Sequence, residues 1–315
     1  MARKHTIFID GEAGTTGLQI RDRLKNRTDL EMVSIAPDKR KDAQARADLL
    51  NGVDVAILCL PDAAAVEAVA LLDANSKTRV IDASSAHRVN PDWAYGFAEL
   101  NKGQRAKIAT AKRVTNPGCW PQGMIALVKP LIDAGLLSRE VPLNYGGVSG
   151  YSGGGKKMIE DYVAKGHQAS EFTPYALNFD HKHLPEMKLY TGTKQDVLFQ
   201  PVVGDFAQGM LTTVPLFASQ LKAGTTLEHL HEVIAAHHAG ARFIEVVPLG
   251  SAEALNPEAL NNSNRMRLSL HGNEVLGQFV LMAIYDNLGK GASGAAVQNL
   301  NIMIGADEAA SVDLI

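Results

Sequence analysis

The feature that most constrains the fold of this chain is the alternation of short apolar strands with helices over its first 115 residues. Strand patterns occupy residues 6–9, 32–35, 53–60 and 79–82, and helical patterns occupy 16–24, 38–50 (with a preceding loop) and 63–72. A strand–helix–strand rhythm joins parallel strands through helices that cover both faces of a sheet. The sequence therefore predicts a Rossmann-type α/β domain with a parallel sheet.

The pattern changes from about Leu143 onwards. Longer alternating strands follow, split by one amphipathic helix around Leu227, Leu230 and Ile234; they cover residues 197–203, 210–216, 267–270 and 276–284. Such alternation is typical of an antiparallel sheet with one buried face. We therefore predict a second, α+β domain with a mostly antiparallel sheet. A glycine-rich loop at 286–294 then leads into a helix at 295–304.

Composition limits the class of protein. The chain has 315 residues, 46% of them hydrophobic and 21% charged, with a net charge of −3. This balance argues against nucleic acid or an anionic membrane as the main partner. No apolar run approaches the roughly 18 residues of a membrane helix, and Met1–His5 is not followed by a secretory apolar segment. We expect a cytoplasmic protein whose two cysteines are free thiols.

A glycine-rich segment follows the first strand and opens the first helix. Glycines let a backbone approach a pyrophosphate, and a helix N-terminus supplies N–H donors. The spacing is Gly-x-x-Gly-x-x-Gly, so an empty glycine-rich turn is the alternative. The predicted nucleotide contacts in this loop are Gly11, Ala13, Gly14, Thr15, Thr16 and Gly17.

The end of the second strand bears on the choice between NADP and NAD. An NAD site usually places an acid there for the ribose hydroxyls. This chain instead has Ser34, Lys39 and Arg40, which suit a 2′-phosphate. We predict NADP as the cofactor, with a solvated charged turn as the alternative.

The segment Asn116-Pro117-Gly118-Cys119 carries the predicted nucleophile. Apolar residues spaced as in a helix follow it, so Cys119 lies at a helix start, where the thiolate is stabilised. A small buried side chain is the alternative. Cys59 lies in an apolar strand pattern and is interpreted as inert packing.

The segment from Tyr175 to Glu186 supplies candidate acid/base groups. Histidine is the natural proton carrier near neutral pH, and His181 and His183 are the candidates. Glu186 or Tyr175 would orient the catalytic imidazole. Two histidines and an acid also resemble part of a metal site, but the remaining histidines lack ligand spacing, and we expect no metal.

Candidate anion contacts lie in two further segments. The Gly/Lys loop 149–157 suits phosphate or carboxylate through its backbone N–H groups and lysines, with a flexible lid as the alternative. Arg88 follows the fourth strand and suits a bidentate phosphate contact, although a surface salt bridge explains it nearly as well. The predicted substrate and phosphate contacts are Arg88, Asn116, Ser149, Gly150 and Lys156.

Five motifs occur in the order found in the N-acetyl-γ-glutamyl-phosphate reductases. They are residues 11–17, 82–88, 116–119, 181–186 and 286–301. The chain resembles the shorter, second type of this family, which is related to aspartate-semialdehyde dehydrogenase. The resemblance spans essentially the whole chain.

The resemblance implies a specific reaction. Members of the family reduce N-acetyl-γ-glutamyl phosphate to the semialdehyde with NADPH in arginine biosynthesis, releasing phosphate through a cysteine thioester. Cys119 matches the nucleophile, His183 matches the expected acid/base with His181 close by, and Asn287 would lie near the nicotinamide. The family also implies a homodimer or homotetramer. It assigns 1–118 and 286–315 to NADP binding, and 119–285 to catalysis and oligomerisation.

Some positions depart from the family pattern. Trp120 and Gln122 replace the more usual Tyr and Thr beside the nucleophile, and Lys182 and Leu184 replace Arg and Thr near the histidines. None of these changes removes a reacting group.

Three alternatives to this predicted function stay open. They are a related acyl-phosphate reductase acting on aspartyl phosphate, a non-catalytic dinucleotide sensor and, third, a zinc hydrolase.

Overall fold

The computed structural model describes residues 3–251 and 255–314, which form two compact units. The first unit runs to Ala98 and includes Gly103–Pro117 and Ala292–Leu314, and the second comprises Glu99–Lys102 and Gly118–Gly291. The chain thus passes between the units after Ala98, Lys102, Pro117 and Gly291. The assignment of 1–118 with 286–315, and of 119–285, to separate functions stays a prediction. Of the residues in this assignment, 1, 2, 252–254 and 315 lie outside the part of the chain that the structure describes.

The first unit is built on a six-stranded parallel sheet in the order β2-β1-β3-β4-β6-β5. Its strands are β1 His5–Asp10, β2 Leu30–Val33, β3 Val55–Leu58, β4 Arg79–Asp82, β5 Ala94–Tyr95 and β6 Arg113–Thr115. Its helices are α1 Thr15–Leu24, α2 Ala43–Gly52, α3 Asp62–Ala70, α4 Gln104–Thr110 and, from the C-terminal segment, α9 Gly294–Ile304. The predicted parallel α/β architecture is confirmed.

The apolar runs explain this sheet. All four residues of β3 are buried between β1 and β4, as expected for a parallel strand covered on both faces. Strand β2 begins and ends two residues earlier than predicted. Ser34 therefore follows the strand and does not lie within it. The short β5 and α4 were not predicted, because their segments have no clear periodicity.

The second unit is built on a seven-stranded sheet in the order β11-β12-β13-β10-β7-β9-β8. Its strands are β7 Asn144–Gly150, β8 Phe172–Pro174, β9 Leu198–Gly204, β10 Met210–Phe217, β11 Ile244–Val246, β12 Met266–Asn273 and β13 Gln278–Tyr285. The pairs β11–β12 and β7–β9 are parallel and the other neighbours are antiparallel. The predicted mostly antiparallel sheet is confirmed.

The described residues of the second unit form four α-helices: α5 Cys119–Asp133, α6 Gly155–Lys165, α7 Leu184–Thr191 and α8 Leu227–His238. Helix α5 is apolar on nearly all sides, and every residue from Trp120 to Val128 is buried. It packs against α7, α8, β10 and β13. A helix that is apolar all round belongs in a core, so the first turn of α5 is held from several directions.

Across residues 3–251 and 255–314, no helix is both long and apolar enough to cross a membrane. Helix α5 has 15 residues, whereas a span needs about 20.

Candidate active site

Cys119 is the first residue of α5. Gly118 caps the helix with an extended backbone (φ −70°, ψ 154°). The thiol therefore lies at a helix N-terminus, where the partial positive charge of the backbone stabilises a thiolate. Gly291 packs directly on it, because a Cβ added there would lie 2.9 Å from the Cys119 Cβ. The segment before α9 thus needs glycine at this contact.

Two buried tyrosines hold the first turn of α5. Tyr285 Oη donates to the carbonyl oxygen of Cys119 at 2.7 Å and accepts from the Gly123 N–H at 3.2 Å. Tyr145 Oη donates to the carbonyl oxygen of Trp120 at 2.7 Å. Neither tyrosine is predictable from the sequence, because they lie in β7 and β13 and no local pattern connects them to the cysteine.

Glu186 connects the histidine segment to the nucleophile segment. It lies in the first turn of α7, is only 1% exposed, and accepts a hydrogen bond from the Gly118 N–H at 2.8 Å. A charged acceptor on a buried N–H makes a strong, directional contact. Glu186 therefore orients the residue that immediately precedes Cys119. Its predicted action on an imidazole stays a prediction.

The two histidines and Tyr175 lie together in the second unit. The rings of His181 and His183 are 4.7 Å apart between centroids, and the rings of Tyr175 and His181 are 5.9 Å apart. Tyr175 Oη accepts from Nε1 of Trp120, the residue after Cys119, at 2.9 Å. His183 is buried and caps α7. The choice between the two histidines as acid/base stays open.

The electrostatics of the site keep Tyr175 protonated. Burial raises the pKa of Tyr175 well above its ordinary value, and the negative charge of Cys119 raises it further. Burial likewise raises the pKa of Tyr145 and Tyr285, with Cys119 adding to both. These three phenols therefore stay protonated at neutral pH.

The second cysteine has the opposite environment. Burial, followed by the charges of Asp82 and Asp10, raises the pKa of Cys59 to about 12. A thiol with that pKa forms almost no thiolate at neutral pH. Cys59 therefore serves as an internal control for the predicted reactivity of Cys119.

The glycine-rich loop of the first unit packs closely against Cys59 and against the start of α1. Gly11 has φ +90°, and a Cβ there would lie 2.3 Å from the carbonyl oxygen of Cys59. A Cβ on Gly17 would lie 2.4 Å from the Gly11 oxygen. Helix α1 starts at Thr15 without a side-chain cap on Gly14. Of the other predicted contacts, Ala13 is exposed and Thr16 is half-buried.

Two of the predicted 2′-phosphate residues, Ser34 and Arg40, contact an acid that was not among the predicted site residues, Glu12. Ser34 Oγ and Arg40 Nη2 donate to the carboxylate of Glu12 at 3.0 and 3.2 Å. Lys39 is exposed in a short 3₁₀ turn. Glu12 lies inside the glycine motif. An acidic residue within that motif was the signal in the sequence that could have identified it.

The predicted anion contacts occupy different settings. Arg88 is buried, and its Nε and Nη2 donate to the carbonyl oxygens of Asn116 and Ala83 at 3.1 and 3.2 Å. Asn116 Nδ2 donates to the Ala292 oxygen at 2.9 Å. Arg88 therefore braces the segment that leads to the nucleophile. Its predicted phosphate contact stays a prediction.

The Gly/Lys loop consists largely of regular secondary structure. Ser149 and Gly150 end β7 and are buried, while Lys156 is exposed on α6 and lies 3.7 Å from Glu160. Their predicted contacts with substrate stay predictions. Helix α6 begins at Gly155, so the lysine-bearing part of this loop is helical.

Asn287 joins two loops of the second unit. Its Nδ2 donates to Ser152 Oγ at 3.0 Å, and its Oδ1 accepts from the Gly209 N–H at 2.7 Å. The side chain is buried. Its predicted proximity to a nicotinamide stays a prediction.

Comparison with known proteins identifies the family. Residues 6–110 match the profile "Semialdehyde dehydrogenase, NAD binding domain", and residues 119–287 match "Semialdehyde dehydrogenase, dimerisation domain". A protein of Chelativorans sp. named N-acetyl-gamma-glutamyl-phosphate reductase is 56% identical, over 95% of this chain and 97% of its own. One of Mesorhizobium japonicum with the same name is 55% identical, over 96% and 99%. The chain belongs to the N-acetyl-gamma-glutamyl-phosphate reductase family. The resemblance drawn from the five motifs is confirmed.

Solved structures show how far the fold of this reductase family extends. Aspartate semialdehyde dehydrogenase II from Vibrio cholerae, complexed with ASA, has a TM-score of 0.73 at 15% identity, over 96% of this chain and 99% of its own. The aspartate semialdehyde dehydrogenase from Candida albicans, solved with NADP, has a TM-score of 0.64 at 14% identity, over 96% and 98%. At these identities the likeness concerns the fold alone.

Proposed function

We propose that this chain reduces N-acetyl-γ-glutamyl phosphate to N-acetylglutamate semialdehyde with NADPH, releasing phosphate, as a step of arginine biosynthesis. One observation carries the proposal: Glu186, three residues after His183, accepts a hydrogen bond from the residue before Cys119. A thiol at a helix start and a proton carrier at another helix start are thus tied together. The names of the relatives supply the substrate.

The first unit fits a dinucleotide. Gly11 and Gly17 let the loop backbone pack closely, because a Cβ there would meet a backbone oxygen at 2.3 and 2.4 Å, and α1 opens at Thr15 between them. Bound NADPH would supply the hydride. The residues proposed to hold it are the loop 11–17 with Ser34, Lys39, Arg40 and Asn287.

The proposed chemistry of the protein starts at sulfur. The Cys119 thiolate attacks the acyl carbon, the bond from that carbon to the phosphate oxygen breaks, and phosphate leaves with the electron pair. The product is a thioester on Cys119. Once the thioester is reduced, His183 or His181 protonates the thiohemiacetal oxygen. The histidine takes this proton back as the C–S bond breaks, which frees the aldehyde and the thiolate.

Supporting groups are proposed from their contacts. Glu186 and the two tyrosines Tyr145 and Tyr285 hold the first turn of α5, and Tyr175 stays protonated beside it. For the departing phosphate and the substrate we propose Arg88, Asn116, Ser149, Gly150 and Lys156. A cytoplasmic location suits a reaction that needs a reduced thiol.

The reverse reaction tests the proposal. Purified protein is mixed with NADP, phosphate and either N-acetylglutamate semialdehyde or aspartate semialdehyde, and NADPH is followed by absorbance. We expect phosphate-dependent turnover with the acetylated substrate. Without phosphate, we expect a single burst of NADPH equal to the amount of Cys119. Preferred turnover of aspartate semialdehyde would replace the substrate assignment, and turnover of neither would overturn the proposal.

The quaternary structure is part of the proposal. The profile over residues 119–287 is described as a dimerisation domain, and we propose a homodimer or homotetramer. Sedimentation equilibrium at micromolar concentration is expected to return the mass of two or four chains. A monomer at that concentration would contradict the assignment.

A further inference from the structure

One acidic side chain in the glycine-rich loop makes contacts that the proposed reaction leaves unexplained. Glu12 follows Gly11 and is 8% exposed. Its Oε2 accepts from Arg21 Nη1 at 3.1 Å and from Ser34 Oγ at 3.0 Å, and its Oε1 accepts from Arg40 Nη2 at 3.2 Å. A single carboxylate therefore gathers two guanidinium groups and a hydroxyl.

These donors come from three separate elements. Arg21 lies on α1, Ser34 directly follows β2, and Arg40 follows the 3₁₀ turn Pro37–Lys39. Strands β1 and β2 are parallel neighbours, so Glu12 and Ser34 lie at the same edge of the sheet. In Rossmann-type units this edge reads the adenosine ribose, with an acid for NAD and arginine for a 2′-phosphate.

A 2′-phosphate needs the same donors that Glu12 already holds. Arginine and hydroxyl groups bind phosphate oxygens and carboxylate oxygens by the same charge-assisted hydrogen bonds. Two anions at these donors would repel each other, since like charges a few ångströms apart raise each other's energy. The arginine side chains are 56% and 45% exposed and have room to turn, whereas the Glu12 side chain is 10% exposed.

We propose that Glu12 determines coenzyme affinity in this chain. Its carboxylate is an internal counter-ion for Arg40 and a hydrogen-bond acceptor for Ser34. It opposes the adenosine 2′-phosphate, and binding of a 2′-phosphorylated coenzyme displaces it from both residues. The inference rests on the proposed use of NADPH. It makes Glu12 a specificity-determining residue and gives it no part in the chemical step.

Calorimetric titration of the full chain with 2′,5′-ADP and with ADP tests this inference apart from activity. Glu12→Gln is expected to bind 2′,5′-ADP about 10-fold more tightly than the unaltered protein does, while its affinity for ADP changes less than about twofold. Glu12→Asp, which withdraws the carboxylate by one methylene, is expected to give a smaller gain. Glu31→Gln, an equal change of charge at an exposed position of β2, is the matched control and should bind like the unaltered protein.

A second variant shows whether the gain passes through Arg40. In an Arg40→Gln background, Glu12→Gln is expected to improve binding of 2′,5′-ADP by less than about threefold, because the donor it releases is gone. An equal gain in both backgrounds would reduce the effect to net charge and overturn the inference.

The remaining outcomes are distinct. Unchanged or weaker binding of 2′,5′-ADP by Glu12→Gln would overturn the inference. Weaker binding of ADP would do so as well, because it assigns Glu12 to the ribose hydroxyls. If the unaltered protein binds 2′,5′-ADP no more tightly than 5′-AMP, which differs from it only in lacking the 2′-phosphate, the proposed use of NADPH fails instead.

Discussion

The proposed role of Cys119 depends on the backbone geometry around it. It is the first residue of a buried helix, its carbonyl is held by Tyr285, and the residue before it is held by Glu186. Each of these contacts restricts where the sulfur lies. A nucleophile confined in this way loses little entropy when it attacks a bound acyl group.

Replacing Cys119 tests covalent catalysis directly. Cys119→Ser is expected to abolish the acyl-enzyme and to lower kcat at least about 1000-fold, because an alcohol is a far weaker nucleophile than a thiolate at neutral pH. Intact-protein mass spectrometry of the phosphate-free reaction measures the adduct. Cys59→Ser is the matched control and should keep the adduct. Full activity of Cys119→Ser would contradict the proposed covalent mechanism.

Two substitutions of Glu186 distinguish the effect of its hydrogen bond from the effect of its charge. Glu186→Gln keeps an oxygen that can accept from the Gly118 N–H, whereas Glu186→Ala does not. We expect kcat to fall about 10- to 100-fold for the alanine variant, from loss of a hydrogen bond to a charged group. The kcat of the glutamine variant should fall much less, and the pH profile of its kcat/KM should stay unchanged. Equal losses in both variants would instead assign the effect to the charge of Glu186.

At the scale of elements, α5 is positioned by three strands of the second unit. Hydroxyl groups from β7, β10 and β13 converge on Gly123, where an added Cβ would lie 2.6 Å from Thr212 Oγ1, 2.8 Å from Tyr285 Oη and 2.9 Å from Tyr145 Oη. The nucleophile helix can approach the sheet only because this residue has no side chain.

Adding a methyl group at Gly123 should therefore affect both stability and catalysis. Gly123→Ala is expected to lower the free energy of unfolding by about 1–3 kcal/mol, because overpacking forces α5 or the strands to shift. Urea denaturation measures the loss, and the rate of Cys119 alkylation reports the displacement of the helix start. Gly52→Ala is the control, since its Cβ meets nothing within 4 Å. A Gly123→Ala protein as stable as this control would contradict the close approach.

At the scale of the whole molecule, a buried histidine is expected to lower stability in acid. His238 ends α8, is 4% exposed, and its Nε2 donates to the carbonyl oxygen of Ala126 at 2.9 Å. Burial lowers the pKa of His238 from 6.5 to about 4. Between these two values the unfolded chain binds a proton that the folded chain does not, so the free energy of unfolding falls as the pH falls.

His238→Gln should flatten this dependence. Glutamine keeps an N–H donor and does not titrate, so the loss of unfolding free energy between pH 7.5 and pH 5 should shrink by about 2 kcal/mol. Denaturant titrations at the two pH values measure it. His167→Gln, at an exposed position, is the control and should leave the loss as it is. An unchanged pH dependence in His238→Gln would show that His238 is not the group responsible.

Local patterns were informative where periodicity or a motif expresses a local physical need. The alternation of apolar strands and helices predicted the parallel sheet, and the apolar spacing after Cys119 predicted a helix there. Segments without clear periodicity, such as β5, α4 and α7, were missed, because burial in the folded unit sets their conformation. The glycines at 11 and 17 were predictable, since close backbone approach leaves a mark on residue type.

The sequence by itself determined the two-part architecture, the family and the identity of the candidate nucleophile, because periodicity, glycine positions and ordered motifs are local properties of the chain. Only the tertiary structure decided that Tyr145, Tyr285 and Glu186 hold the start of α5, and that Glu12 holds Ser34 and Arg40. These contacts join residues far apart along the chain or on different elements. Their partners depend on strand order and helix packing, which no single segment encodes.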